Sequence, residues 1–388
     1  MTKNAVFRTD ASVTIGTGHV IRCLALAKAL QCRGWNCVFA SNKQTELVAP
    51  AFVNAKLEVL VVSADDDVAV MMERWPDGSD ILVVDHYELD ASYEKACRPW
   101  ARRILVIDDL PNRRHDCDLL LDATLGRSAN VYDAYVPESC GVMAGSSFAL
   151  LRPEFAEVRQ ENAHKKLPRR ILVTLGGTDP HNVTGAVLAG LDGLELSIDV
   201  VLGPSAPYLD KLYSTAACMG EHVTIHTNLG GREIAKLMAN ADLAVGAGGS
   251  SAWERCALGL PSLLVVIADN QRELATSLAN RGAARLLGEA DSLRPETVRS
   301  AVEDLIATPE CLAKMAQAAE QTCDAHGATR VATMLSGQMS RDGGTVTLRP
   351  VARMDRDLIL AWQRNPITRR HFHERTPPSP TEHEAWFE

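Results

Sequence analysis

Apolar runs alternate with amphipathic stretches along residues 1–150. Ala5–Phe7, Cys37–Ala40, Leu57–Val62, Ile81–Asp85, Ile104–Asp109 and Leu119–Asp122 each read as a strand. After the first, Val20, Cys23, Leu24, Ala27 and Leu30 recur at helical spacing, and helical stretches also occupy 43–53, 65–75 and 91–101. Near-continuous apolar strands separated by helices predict a parallel sheet covered on both faces. Asp85, Asp108 and Asp122 close their strands and so face the crevice where such sheets bind ligands.

Residues 151–168 are charged and proline-bounded, and read as an interdomain connection. A second α/β unit runs over 169–335. Its strands are 170–175, 197–202, 222–226, 243–246 and 262–267, with a helix over 182–191 and another ending at Leu258. Helical material over 309–335 is placed to pack back onto the first unit. Residues 336–344 read as a flexible linker. A small segment, 345–388, follows, with a strand at 346–349, a helix around 355–363 and a proline-rich turn at 377–380. The fold class is therefore α/β, with two Rossmann-like domains and an appended segment.

The 388 residues allow two or three domains and a large core. A formal charge of −9 with interspersed signs argues against nucleic acid or an anionic membrane as the main partner. An aromatic content of 5% leaves little for base stacking. No signal-peptide core opens the chain, and no apolar run reaches the roughly 18 residues of a membrane span. The ten cysteines are scattered without a C-x-x-C pair, as expected of reduced thiols in the cytoplasm.

Candidate chemistry centres on the loop after the first strand. Gly16, Thr17 and Gly18 lead into a helix opened by His19. Such a loop lets a ligand approach the backbone, and the helix start offers unpaired N–H groups to an anion. A histidine at that positive end favours the neutral imidazole that acts as a base, whereas a bound phosphate pulls the other way. The pattern is not a dinucleotide fingerprint, because Ile21 stands where its third glycine belongs. Two further glycine loops, Gly176-Gly177-Thr178 and Gly248-Gly249-Ser250-Ser251, precede helices in the second unit. Together the three suit a pyrophosphate between domains. Glu254 either accepts hydrogen bonds from a ribose diol or is a solvated first-turn glutamate. Asn270 and Gln271 suit sugar hydroxyls and acetamido groups, or cap a helix. Among the other histidines, only His86, beside Asp85, shares the crevice with His19.

These stretches resemble one family. Ile15–Arg22, Val84–Tyr87, Ile107–Asp109, Gly145–Phe155, Gly176–Asp179, Gly248–Glu254, Gly259–Pro261 and Ala268–Gln271 follow the order of the UDP-2,4-diacetamido-2,4,6-trideoxy-β-L-altropyranose hydrolases of pseudaminic acid biosynthesis. That family's fold is similar to the glycosyltransferase-B enzymes, and the resemblance covers roughly 4–335. It implies metal-independent hydrolysis of a UDP-sugar at the anomeric carbon with inversion, with no cofactor. His19 would be the base that activates water. Asp10 is expected to orient His19, and Arg8, Arg22 and Tyr87 to line the same site. Gly16, Thr17, Gly18, Gly177, Thr178, Gly249, Ser250, Ser251, Glu254, Asn270 and Gln271 are expected to hold UDP and sugar. Residues 345–388 resemble the beginning of a GNAT-type acetyltransferase, through Val346–Pro350, Ile359–Trp362, Arg364 and Asn365. They lack the later strand and pyrophosphate turn that an acetyl-CoA site needs, so no acetyl transfer is expected. A glycosyltransferase of the same fold and a non-catalytic UDP-sugar binder remain alternatives. A nucleotide-sugar 2-epimerase would need a different first loop.

Overall fold

A computed structural model describes residues 2–12, 16–48, 57–63, 66–160, 169–340, 342, 345–372, 374 and 376–387. Positions 13–15, the end of the 43–53 helix, the start of the 65–75 helix, 161–168 of the connection and linker positions 341, 343 and 344 lie outside the described residues.

Seven parallel strands build the first sheet: β1 (Asn4–Thr9), β2 (Asn36–Ser41), β3 (Glu58–Val61), β4 (Ile81–Asp85), β5 (Ile104–Ile107), β6 (Leu119–Asp122) and β7 (Gly141–Ala144). Their order, β3-β2-β1-β4-β5-β6-β7, reverses between β1 and β4, which opens a crevice at the carboxyl ends of those two strands. Ala5, Phe7 and Val83 enter the core beneath the Gly18–Gln31 helix, whereas Val6, Leu82 and Val84 face the opposite layer with Met71 and Trp100. Successive strand residues alternate faces, so Thr9 and Asp85, paired in register, look toward that helix and Arg8 looks away.

The second sheet has six parallel strands: β8 (Arg170–Thr174), β9 (Ser197–Leu202), β10 (Val223–Thr227), β11 (Leu243–Ala247), β12 (Ser262–Val266) and β13 (Ala284–Glu289), ordered β10-β9-β8-β11-β12-β13. Both its faces are buried: Ile171, Val173 and Val245 on one side, Leu172, Ala244 and Leu264 on the other. Two edge strands, β7 and β13, have no counterpart in the sequence expectations. β7 is a run of only four residues, Gly-Val-Met-Ala, half-buried at alternate positions, and β13 carries Arg285 and Glu289 and is partly exposed on both faces.

The chain crosses between the domains twice. The Pro153–Gln160 helix, expected in the connection, packs into the second domain: Phe155 and Val158 join its core. Arg159 binds the carbonyls of Ala257 at 2.6 Å, Cys323 at 2.6 Å and Glu320 at 3.0 Å. The Gly327–Ser336 helix, counted with the second unit, returns to the first, where Ala328, Val331, Ala332 and Leu335 complete the core beside the Gly18–Gln31 helix. Lys3, Trp35 and Arg103 fasten its end through Ser336 and Leu335.

Beyond it, Thr345–Val346 pairs antiparallel with Gln338–Met339, a shorter strand than the 346–349 expected. Helices Arg356–Arg364, Pro366–Arg369 and Pro380–Phe387 follow, and Pro350 packs against Gly141. Among the described residues, no helix is long and apolar enough to cross a membrane.

Candidate active site

The β1 loop closes at Gly16, whose φ of +80° is a left-handed conformation open to glycine. Its N–H donates to Ser12 O at 2.8 Å. Thr17 precedes the Gly18–Gln31 helix without a side-chain cap, and no acidic residue occupies the first turn. The positive end of the dipole therefore faces the crevice uncompensated.

His19, the second residue of that helix, is buried, and its Nδ1 lies 2.6 Å from Asp85 Oδ1. A carboxylate only accepts, so the contact assigns a proton to Nδ1, and in the neutral ring the lone pair then sits on Nε2. Among the described residues nothing bonds Nε2. Arg22, one turn on, clasps the same carboxylate: Nε donates to Oδ2 at 2.7 Å and Nη2 to Oδ1 at 2.6 Å, while Nη1 reaches Asp109 Oδ2 at 3.2 Å. Arg22 Nη2 also lies 3.2 Å from His19 Nδ1. Both are donors there, and the approach is tolerated because the shared carboxylate answers each. Burial alone would raise the Asp85 carboxyl, but Arg22 and His19 outweigh it and hold it well below the usual range. Tyr87 meets the His19 ring edge-on, centroids 4.7 Å apart, and its hydroxyl donates to Asp109 Oδ1 at 2.9 Å. Burial and Asp109 push that phenol up, so it stays neutral.

Asp10 does not orient His19. It lies on the other side of β1, 2.8 Å from Arg8 and 3.2 Å from His86 Nε2, and accepts from Asn42 N at 2.7 Å. Arg8, expected to line the ligand, is buried between Asp10 and Asp67. The alternation of β1 explains both corrections: Arg8 points away from the helix that carries His19. His86, expected to share the crevice with His19, stands instead on the Asp10 side: its Nδ1 accepts from Glu88 N at 3.1 Å and its Nε2 lies 3.2 Å from Asp10. Arg22, expected to bind substrate, directs one donor from each of its three nitrogens to Asp85 and Asp109.

The second domain closes the other side. A Cβ on Gly18 would stand 3.3 Å from Ser250 Oγ, so the two glycine loops meet there. Gln271 packs behind Gly248 and Gly249 and steadies their loop. Asn270 Nδ2 donates to Tyr87 OH at 3.4 Å, and Arg127 bridges to Glu273 at 3.0 Å. Ser251 begins the Ser251–Ala257 helix, and Glu254 on it binds Arg152 at 2.8 Å through Oε1. That pairing replaces the solvated-glutamate alternative and leaves Oε2 without a donor among the described residues. Gly177 and Thr178 differ from the expectation. The helix behind them begins with Val183 N and Thr184 N donating to the Asp179 carboxylate at 2.9 and 2.8 Å, so that N-terminus is already answered by a negative charge.

Sequence reasoning left Asp85 without a role beside His19, although it marked the residue as facing the crevice. The usable signal was parity: Phe7, Thr9, Val83 and Asp85 share one face once β1 and β4 are taken as neighbours.

Residues 231–331 match the glycosyltransferase family 28 C-terminal domain. Over 279 residues the chain is 29% identical to a UDP-2,4-diacetamido-2,4,6-trideoxy-beta-L-altropyranose hydrolase of Campylobacter jejuni, covering 71% of this chain and 96% of the relative. The fold is similar to that of MurG from Acinetobacter baumannii, with TM-score 0.60 and 17% identity over 86% of this chain and 99% of that one. It is also similar to S. aureus MnaA in its co-structure with UDP, with TM-score 0.60 and 13% identity over 90% of this chain and 100% of that one. These likenesses give the architecture a name: two parallel α/β domains arranged as in the glycosyltransferase-B enzymes.

Proposed function

We propose that this chain is a UDP-sugar hydrolase whose substrate is UDP-2,4-diacetamido-2,4,6-trideoxy-β-L-altrose. The observation that carries the reading is the Asp85–His19 pair, with Nε2 free at a glycine loop that meets a second glycine loop across the crevice. The activity named for the Campylobacter jejuni relative supplies the substrate class.

His19 Nε2 takes a proton from water as the water oxygen bonds to the anomeric carbon. The bond from that carbon to the diphosphate oxygen breaks, and UDP leaves with the electron pair. Attack opposite the leaving group inverts the centre. Asp85 stabilises the imidazolium formed and holds its ring, and Arg22 holds Asp85. The uncapped start of the Gly18–Gln31 helix and the Gly249-Ser250-Ser251 loop stabilise the departing diphosphate. Glu254 Oε2 accepts from the ribose, while Tyr87 and Asn270 face the sugar. No metal enters this scheme. Residues 345–388, read as the start of an acetyltransferase, take no part in it, and the chain is expected not to transfer acetyl groups from acetyl-CoA.

The family 28 match favours a second reading, transfer of the sugar to an acceptor other than water. Phosphorus NMR of a turnover in 18O-labelled water separates them. UDP with the label in the free sugar supports hydrolysis at carbon. UMP with sugar 1-phosphate means attack at phosphorus and removes the role given to His19. UDP binding without turnover points to the transferase.

A further inference from the structure

Arg255 is a buried cation with no carboxylate in contact among the described residues; the charge of Glu254 acts on it only from a distance. Its side chain is fully buried, yet its partners are neutral: Nη2 donates to Ala247 O at 2.6 Å, Nη1 to Ser251 Oγ at 3.1 Å and Nε to Ser262 Oγ at 3.1 Å. Among the described residues no carboxylate comes within ion-pair distance, and neighbouring Glu254 turns to Arg152 instead. Burial pushes the guanidinium down to about 10, so it remains charged at neutral pH. Buried charges are ordinarily paired, because leaving water uncompensated is costly.

The fold makes room for this group. A Cβ on Gly246 would stand 2.6 Å from Arg255 Nη1 and 2.8 Å from Cζ, so only glycine in β11 lets the guanidinium lie against the strand. From there it spans the Gly248-Gly249-Ser250 turn, holding Ala247 at the strand end and Ser251 at the helix start. Because Nη1 donates to Ser251 Oγ, the serine oxygen is used as an acceptor and its own proton remains available to donate. Ser262 repeats the polarity: it accepts from Arg255 Nε and donates to Leu260 O at 3.1 Å.

We infer that Arg255 is a positioning residue for a nucleoside diphosphate: it fixes the Gly248–Ser251 loop, keeps the Ser251 hydroxyl proton available to donate, and leaves a buried positive charge for the diphosphate to answer. This rests on the UDP reading above. The arrangement acts on the phosphates and not on the nucleoside, since Arg255 is sealed beneath the loop and touches no ligand.

The test is calorimetric titration of the full chain with UDP and with uridine. Arg255→Gln should weaken UDP by about tenfold or more, the size of a lost charge-assisted hydrogen bond, and change uridine by less than about twofold. Arg255→Lys, which keeps the charge but not the fork, should fall between. Ser251→Ala should weaken UDP in the same sense, and adding it to Arg255→Gln should cost little more. If Arg255→Gln fails to fold, judged by circular dichroism, the lysine and Ser251→Ala variants carry the test. An unchanged UDP-to-uridine ratio, or equal weakening of both ligands, overturns the inference while leaving the UDP reading standing. A native chain that does not bind UDP removes both.

Discussion

Replacing Asp85 by asparagine probes the proposed base directly. In the resting site Asp85 Oδ1 lies 2.6 Å from His19 Nδ1, and Arg22 Nη2 lies 3.2 Å from the same nitrogen. When Nε2 takes a proton, the ring becomes a cation between these two charges. With an effective dielectric constant of about 20, attraction to Asp85 is worth about 6 kcal/mol and repulsion from Arg22 about 5 kcal/mol. The carboxylate thus roughly cancels the guanidinium, and Asp85→Asn exposes the imidazolium to most of that repulsion. Relaxation and water entry absorb part of it. A hundredfold to ten-thousandfold fall in kcat is expected, roughly the range that 3 to 5 kcal/mol spans. Because the repulsion comes from Arg22, Asp85→Asn combined with Arg22→Gln should recover at least about tenfold over Asp85→Asn alone. The assay is UDP release under saturating substrate, with UDP affinity measured alongside to show that the fold and ligand site persist. A fall of less than about tenfold in the single variant would refute the dyad. A double variant no faster than the single one would refute the electrostatic account of Arg22.

His19→Asn should abolish turnover while UDP still binds, and retention of near-native rate would remove the base assignment. A Cβ at Gly18 would already stand 3.3 Å from Ser250 Oγ, so the larger side chain of Gly18→Val should raise KM several-fold with little change in the urea midpoint. His115 is gripped by Glu94 at 2.7 Å and Asp108 at 3.1 Å. Burial would lower its pKa, but the two carboxylates outweigh it and raise it from 6.5 to about 9. Its contribution, on the order of 3 kcal/mol, is therefore complete below pH 6.5 and lost as pH rises through about 9. Urea midpoints should fall between pH 6 and 9.5 in the native chain, and His115→Asn should flatten that fall; parallel curves would refute it. Treatment with EDTA should leave the rate unchanged, and a loss restored by added divalent ion would overturn the metal-free scheme.

The sheets were legible where strands are buried on both faces. Ile81–Asp85 and Ser262–Val266 are continuous apolar runs because both of their surfaces meet helices. β7 and β13 stand at sheet edges and keep partly exposed positions; β7 offers only four apolar residues, and Arg285 and Glu289 interrupt β13. In the site, His19 and its glycine loop could be found because their chemistry is local: a turn, a helix start, a titratable ring. The partner of His19 could not be found by proximity in sequence. Asp10 is nine residues away and Asp85 sixty-six, yet strand order and side-chain alternation bring the distant one into contact. Local pattern also marks the Gly176-Gly177-Thr178 loop as a helix approach, but not that Asp179 caps the helix behind it.

The helix that seals the first domain's core is made only after the second domain. Val331, Ala332 and Leu335 lie against Leu26 and Leu30, some three hundred positions earlier. A growing chain therefore carries an unfinished first domain through the whole synthesis of the second. The apolar face of the Gly18–Gln31 helix has no permanent cover until residue 336 has left the ribosome. Gly327 stands so close to the Ala149 carbonyl that any side chain there would collide with it, which leaves little tolerance in how this late piece docks. Maturation of the first domain is thus timed by completion of the second, and chains arrested before residue 327 are expected to present that bare face to chaperones.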